Sequence, residues 1–359
     1  MRENCYYKEL KIKLRQFESL RGKIDKEKET DLEDTIKTIK DALHAKRTPL
    51  IRSVEDALKY EYSMLINDEC LWDICNSLAQ YANDDFPNLP NPRLVINNKD
   101  LLDLVHDFFK KATNPYFYNI FSELLKNNNG PYFVTSNNPS FYADSLYLQY
   151  DRSFYTQIVR RNEFDDIATI AHEYGHGIQF LVNYNTNFYD NLQVFSELIS
   201  TFFELLCTEY YAKDTQLGKY AIAAGYEFFD SSCENAFNLS KELQVLKSIK
   251  NNSNGSERNI NRNISFIVKY GNKKNLREIV EIFPSRDFIY VIGYAFAIEL
   301  YLIYAKDPDY ALYLLRKVIE IDLNLPKDIY FKEIIKLGIV PTANIEQYEA
   351  HIKRELTLF

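Results

Sequence analysis

Long stretches of this chain pass without a glycine or a proline, the two residues that most readily break a helix. Its 359 residues include only 10 glycines and 11 prolines. Such a chain favours helices over a β architecture, which needs a turn every few residues. Hydrophobic residues make up 46% and aromatics 15%, enough to bury one large core or two modest ones and too many for a disordered polymer. The expected fold is mainly α.

Apolar positions recur at three- and four-residue spacing from the start to about Ala82. Residues 84–93 contain Pro87, Pro90 and Pro92 and must be extended or turning. This predicts an N-terminal helical portion over residues 1–92 and a second domain over residues 93–359. In that domain, helical patterns resume at 99–110 and 116–126, and Asn127 to Pro131 break the chain. A small sheet is expected at about 131–161, where Tyr132, Phe133, Val134 and the run 145–159 are rich in aromatic and β-branched residues. Helices return from Asn162 and are interrupted by a polar loop at 251–263.

Several functional classes fit poorly. The net charge is −8 and lysine and arginine are dispersed, whereas a nucleic-acid partner calls for a concentrated basic face. The most apolar segment, 288–305, encloses Glu299 and repeated tyrosines, so it reads as a buried core helix and not a membrane span. The first sixteen residues, MRENCYYKELKIKLRQ, contain no apolar signal-peptide core, and a cytoplasmic location is expected. The five cysteines (Cys5, Cys70, Cys75, Cys207, Cys233) make no C-x-x-C pair and read as buried or idle thiols in a reducing compartment.

The chemistry is concentrated in His172-Glu173-Tyr174-Gly175-His176. With five histidines available, chance gives this pattern in well under roughly one chain in a hundred. Asn162 is expected to cap a helix here, with Asp165 at the third position and Asp166 adding negative charge near the positive end. Phe164, Ile167, Ala168 and Ala171 supply its buried face. On that helix His172 and His176 lie one turn apart and can reach one tetrahedral metal. Glu173 lies beside them, able to contact a water at the metal without being a ligand. Taken singly, these residues read as satisfied core histidines and a solvated glutamate; jointly they are hard to explain as packing.

Zinc needs a third protein ligand, and no histidine follows at short spacing, so a carboxylate on a neighbouring helix is expected. Phe195, Leu198, Ile199, Phe202 and Leu206 form an apolar stripe over 193–210. Glu197 lies within it and Glu204 two turns further along the same side. If the loop at 183–191 lets the two helices pack antiparallel, Glu197 faces both histidines. Glu204 can then hydrogen-bond a ligand imidazole and fix its tautomer. The alternative is a pair of exposed glutamates.

The run from Phe164 to His176, with its glycine before the second histidine, resembles the metal helix of the oligoendopeptidase F and thimet oligopeptidase family of zinc metallopeptidases. The segment from Ser196 to Glu204 resembles the one that carries that family's third ligand and second glutamate. The resemblance covers about residues 131–210 and weakens towards the C-terminus. It implies a helical zincin-type fold with a small sheet beside the active-site helix. It also implies one zinc per chain on His172, His176 and Glu197, Glu204 behind them, Glu173 as acid/base, and a peptide substrate. Ile289 to Tyr294 resembles a later family helix, which implies that Tyr290 and Tyr294 hydrogen-bond the substrate carbonyl or the developing oxyanion. Two departures stand out: Pro284 to Asp287 supplies no histidine before that segment, leaving Arg286 as the candidate donor, and the chain is shorter than typical members. The expected activity is zinc-dependent hydrolysis of oligopeptides. The alternative is a zinc-binding helical interaction protein that has lost catalysis.

Overall fold

The structure, a computed structural model, describes residues 69–82, 93–128, 131–134, 143–148, 153–183, 193–251, 287–321, 325, 327–341 and 344–356. Among them the chain forms α1 (Glu69–Ala79), α2 (Asn98–Ala112) and α3 (Pro115–Asn128), then β1 (Tyr132–Val134), β2 (Ala143–Leu148) and β3 (Ser153–Val159). There follow α4 (Asp165–Val182), α5 (Gln193–Ala212), α6 (Gly218–Asn251), α7 (Asp287–Tyr304), α8 (Pro308–Ile319), α9 (Lys327–Lys336) and α10 (Ile345–Leu356). The fold is mainly α with one small sheet, as its scarcity of breakers predicts. The helical pattern before residue 69, the prolines of 84–92, Arg286 and the polar loop after Asn251 lie outside the described residues. By internal packing the chain divides into two units. One, Ile51–Leu146 with Phe154–Phe359, holds nearly all the described residues; the other, Met1–Leu50 with Tyr147–Ser153, lies almost entirely outside them.

Helix α5 is central. Its most extensive neighbours are α4 and α7, with α6 and α2 also against it, while α1 packs on α6 and α7. Two glycines set the close approaches. A methyl on Gly175 of α4 would lie 2.6 Å from the Ser200 Cα of α5, and one on Gly293 of α7 would lie 2.9 Å from the Glu197 Cβ. Both helices therefore come nearer to α5 than a side chain permits.

Helix α7 is apolar all round and accordingly buried, with residues 291–302 inside the core. Its Glu299 is nearly buried and accepts a hydrogen bond from Asn344 Nδ2 at 2.6 Å. No helix among the described residues is long and apolar enough to cross a membrane. Below α4 and α5 the core is aromatic: Phe109 stacks on Phe121 at 4.2 Å, and Phe121 meets Tyr174 edge-on at 5.0 Å. Each such pair adds about 0.5–1.5 kcal/mol beyond its area burial. Cys75, Cys207 and Cys233 are buried thiols that form no disulfide among the described residues.

The start of α4 differs from the sequence expectation. Asn162 does not cap it: its backbone is left-handed, with φ of 60°, and the residue flanking the helix is Phe164, which has no side-chain cap. The Asp166 carboxylate instead reaches back, accepting from the backbone N–H groups of Arg161 and Asn162 and from Arg160 Nε, each at 2.9 Å. Asparagine tolerates the left-handed turn well, so the tight bend and the buried acid replace an N-cap. Arg160 also donates to the Ile96 carbonyl at 2.6 Å, which ties the end of β3 to the segment before α2. The sheet runs in the order β1-β3-β2. Strands β1 and β3 are parallel, with Phe133 opposite Ile158. Residues 149–152 join β2 to β3, and β2 has one strand neighbour among the described residues.

Candidate metal centre

Two turns of α4 and two of α5 meet across the Gly175 contact. His172 Nε2 lies 3.2 Å from Glu197 Oε2, His176 Nε2 lies 3.5 Å from the same oxygen, and His172 Nδ1 lies 2.6 Å from Glu204 Oε2. The earlier histidine pairs with the later glutamate, so the helices run antiparallel here. The two imidazole rings stand 4.9 Å apart and nearly perpendicular, at 80°. One ligand atom from each of His172, His176 and Glu197 falls within 4.8 Å of the others. Glu197 is 7% exposed, and the Ser200 hydroxyl donates to its Oε2 at 3.3 Å.

This donor set fits a zinc ion. Glu204 accepts a hydrogen bond from His172 Nδ1–H, which in the neutral ring leaves a lone pair on Nε2 facing a carboxylate oxygen. Two acceptors at 3.2 Å repel one another unless a proton or a metal ion stands between them. With zinc–ligand distances of about 2.0–2.1 Å, a tetrahedral edge is about 3.3–3.4 Å, and the two Nε2–Oε2 separations bracket that length. In the absence of metal, protons take over the role. Burial opposes a charge on His172, yet the Glu204 carboxylate and the hydrogen bonds to Glu197 and Glu204 outweigh it and raise its pKa well above the ordinary imidazole value. Burial likewise raises Glu197, but His176 and His172 outweigh that and hold its carboxyl far below the usual carboxylate range.

Glu173 is 6% exposed. Burial pushes its carboxyl up, against the opposing pull of His176, His172 and a hydrogen bond from Ser145. The Ser145 hydroxyl, on β2, contacts Glu173 Oε2 and lies 3.1 Å from Thr156 Oγ1 on β3. These hydroxyls have no part in the sequence expectations. The residues 145–159 stand out there only as strand, and alternation along a strand does not fix its register against a neighbour, so no sequence signal pairs Ser145 with Thr156 or Glu173.

The two tyrosines of α7 occupy different surroundings. Tyr294 is 1% exposed, with its ring 4.6 Å from Phe228 and 6.5 Å from Tyr348, and burial pushes its phenol well above the ordinary value. Tyr290 is 47% exposed. It lies one turn before Gly293, whose backbone packs on Glu197.

Two solved structures share this architecture. One, from Bacillus anthracis str. Ames and assigned as an oligoendopeptidase F, superimposes with a TM-score of 0.58 over 90% of this chain, at 14% identity. The other, a 3.1 Å X-ray structure with the same assignment, gives a TM-score of 0.58 over 91% of this chain, at 12% identity. The chain has an oligoendopeptidase F-like fold. It spans 64% of the length of each of the two chains. No protein-family model and no curated protein sequence matches it.

Proposed function

We propose that this protein is a zinc-dependent peptidase acting on oligopeptides, with one zinc per chain. The convergence of His172, His176 and Glu197 beside a buried Glu173 carries the reading, and the oligoendopeptidase F-like fold supports it. When bound, zinc supplies Lewis acidity that polarises the scissile carbonyl and acidifies water. His172 holds its Nε2 lone pair free because Glu204 accepts the Nδ1 proton. Glu173 accepts a proton from the attacking water as the water oxygen bonds to the carbonyl carbon. It returns that proton to the amide nitrogen as the C–N bond breaks. Its raised pKa suits both halves of this transfer.

Tyr290, half-exposed one turn from the Glu197 contact, is suited to donate to the carbonyl oxygen as negative charge grows there. Tyr294 is enclosed by aromatic rings, and we assign it to packing the helix that carries Tyr290. Among the described residues β2 has one strand neighbour, and its other edge is suited to backbone pairing with an extended peptide.

A quenched-peptide assay with and without chelator, alongside metal analysis, tests the proposal. Glu173→Gln should lower kcat by about 10²–10⁴-fold while zinc stays bound. Near-normal turnover by that variant would defeat the mechanism. A zinc-loaded wild type that leaves a defined peptide mixture intact would favour the non-catalytic interaction protein.

A further inference from the structure

The base of this site is held from outside the metal-binding helices. Glu173 belongs to α4, but the hydroxyl against its Oε2 comes from Ser145 on β2, and Ser145 is in turn bonded to Thr156 on β3. The direction of this chain follows from proton counting. An ionised carboxylate only accepts, so the single Ser145 proton must point to Glu173. Thr156 must then donate to the Ser145 oxygen. Thr156 is buried and Ser145 half-buried, so water competes poorly with either bond.

We propose that Ser145 is a positioning residue for Glu173, with Thr156 fixing the Ser145 rotamer. This rests on the peptidase reading above. A glutamate side chain has three rotatable bonds, and a base in free rotation spends little time aligned with the water it must deprotonate. The Ser145 donor removes that freedom at Oε2. It also divides the labour of the two oxygens. Oε1 is the one that takes the proton, since protonation at Oε2 would break the Ser145 bond and reverse the Thr156 chain. After the transfer Oε2 is a carbonyl oxygen and still accepts from Ser145. The carboxyl therefore stays in place through both halves of the reaction. Ser145 also lies on β2, the strand proposed above to seat an extended peptide, so alignment of the base and seating of the substrate depend on the same strand.

The experiment is steady-state peptide hydrolysis by zinc-loaded wild type, Ser145→Ala, Ser145→Thr and Thr156→Val, with zinc content and thermal midpoint measured for each. Ser145→Ala should keep its zinc and hold KM within about twofold, and lose on the order of 10–100-fold in kcat. Ser145→Thr keeps a hydroxyl on a β-branched side chain that suits a strand, and should recover most of that loss. Thr156→Val, which removes the upstream donor at nearly constant volume, should lower kcat by less than Ser145→Ala. If Ser145→Ala fails to fold, Thr156→Val and Ser145→Thr decide the matter: wild-type kcat in Thr156→Val, or a loss in Ser145→Thr as large as about 10-fold, at full zinc occupancy overturns the positioning role. An unchanged kcat in Ser145→Ala at full zinc occupancy, or an equal kcat loss in Ser145→Ala and Ser145→Thr, overturns the positioning role alone. A zinc-loaded wild type that cleaves no peptide overturns the peptidase reading and the positioning role together.

Discussion

Helix α5 presents a glutamate to a histidine at both ends, and among the described residues only one of them gathers a donor set that could hold a metal ion. Towards its C-terminus, Glu209 Oε2 accepts from Tyr301 at 2.8 Å and from His351 Nε2 at 2.9 Å, while Oε1 accepts from Tyr348 at 3.2 Å. His351 Nδ1 faces Arg354 Nη2 at 3.1 Å, and an arginine can only donate, so His351 is the Nε2–H tautomer. Every proton there has a place. Burial pushes the Tyr301 and Tyr348 phenols up and keeps them protonated as donors. At Glu197 the neutral rings fall one proton short: two Nε2 atoms converge on one carboxylate oxygen, and the Nδ1 proton of His172 is already committed to Glu204, so His172 Nε2 meets that oxygen only through an added proton or a metal ion. Proximity of histidine to glutamate is thus no metal signature in itself. The signature is a shortage of donors.

The largest effect expected from this contrast is on metal content. His172→Ala or Glu197→Ala should reduce zinc from about one per chain to near zero, since two remaining ligands hold the ion weakly. His351→Ala should leave the zinc content of wild type unchanged. Elemental analysis of the purified proteins checks both, and zinc loss in His351→Ala would erase the distinction between the two ends.

Next is the helix contact that sets the geometry of the metal end. Gly175→Ala would place a methyl 2.6 Å from the Ser200 Cα, and backbone cannot swing aside as a side chain can. A cost of about 3 kcal/mol or more is expected, together with weakened zinc binding, both read by denaturant titration with and without metal. Glu209→Gln acts at the other end. The amide retains one acceptor oxygen but turns an NH2 towards groups that are themselves donors, at a cost of about 1–3 kcal/mol. Its zinc affinity should match wild type.

Much of the metal end was legible in the sequence because it depends on helical periodicity. The four-residue step from His172 to His176 and the seven-residue step from Glu197 to Glu204 fix which side chains share a face, whatever the helices pack against. The contact of Glu204 with His172 follows from the antiparallel packing of the two helices. Loop geometry carries no such period. Asn162 looked like a cap because its residue type suits one, but the decisive bonds come from the Asp166 carboxylate to the preceding backbone. The hydroxyl behind Glu173 was hidden for another reason: Ser145 is 28 residues away in sequence, and only the sheet brings it near. Tyr290 and Tyr294 share a face by spacing, yet one is half-exposed and the other buried. That difference comes from where α6 and α10 cover α7.

The smallest effect concerns the negative charge that accumulates at the metal end. Asp165 opens α4, where the helix dipole favours a carboxylate. Burial nevertheless raises its pKa from 3.8 to about 7, and the charges of Glu227, Glu204 and Glu163 raise it further, against a weaker opposing pull from Arg161. In the unfolded chain the same group titrates near its ordinary value. Between about pH 4 and 7 the folded protein therefore binds more protons than the unfolded one, and stability falls as pH rises through that window. Below it both states are protonated and the penalty vanishes; above it the penalty is complete. Asp165→Asn removes the charge, so the metal-free variant should melt higher than wild type at pH 8, by on the order of 1–2 kcal/mol once solvent screening is allowed for, and level with it near pH 4. Equal melting of Asp165→Asn and wild type at pH 8 would mean that burial and the neighbouring carboxylates impose no charge penalty on Asp165 in the folded chain.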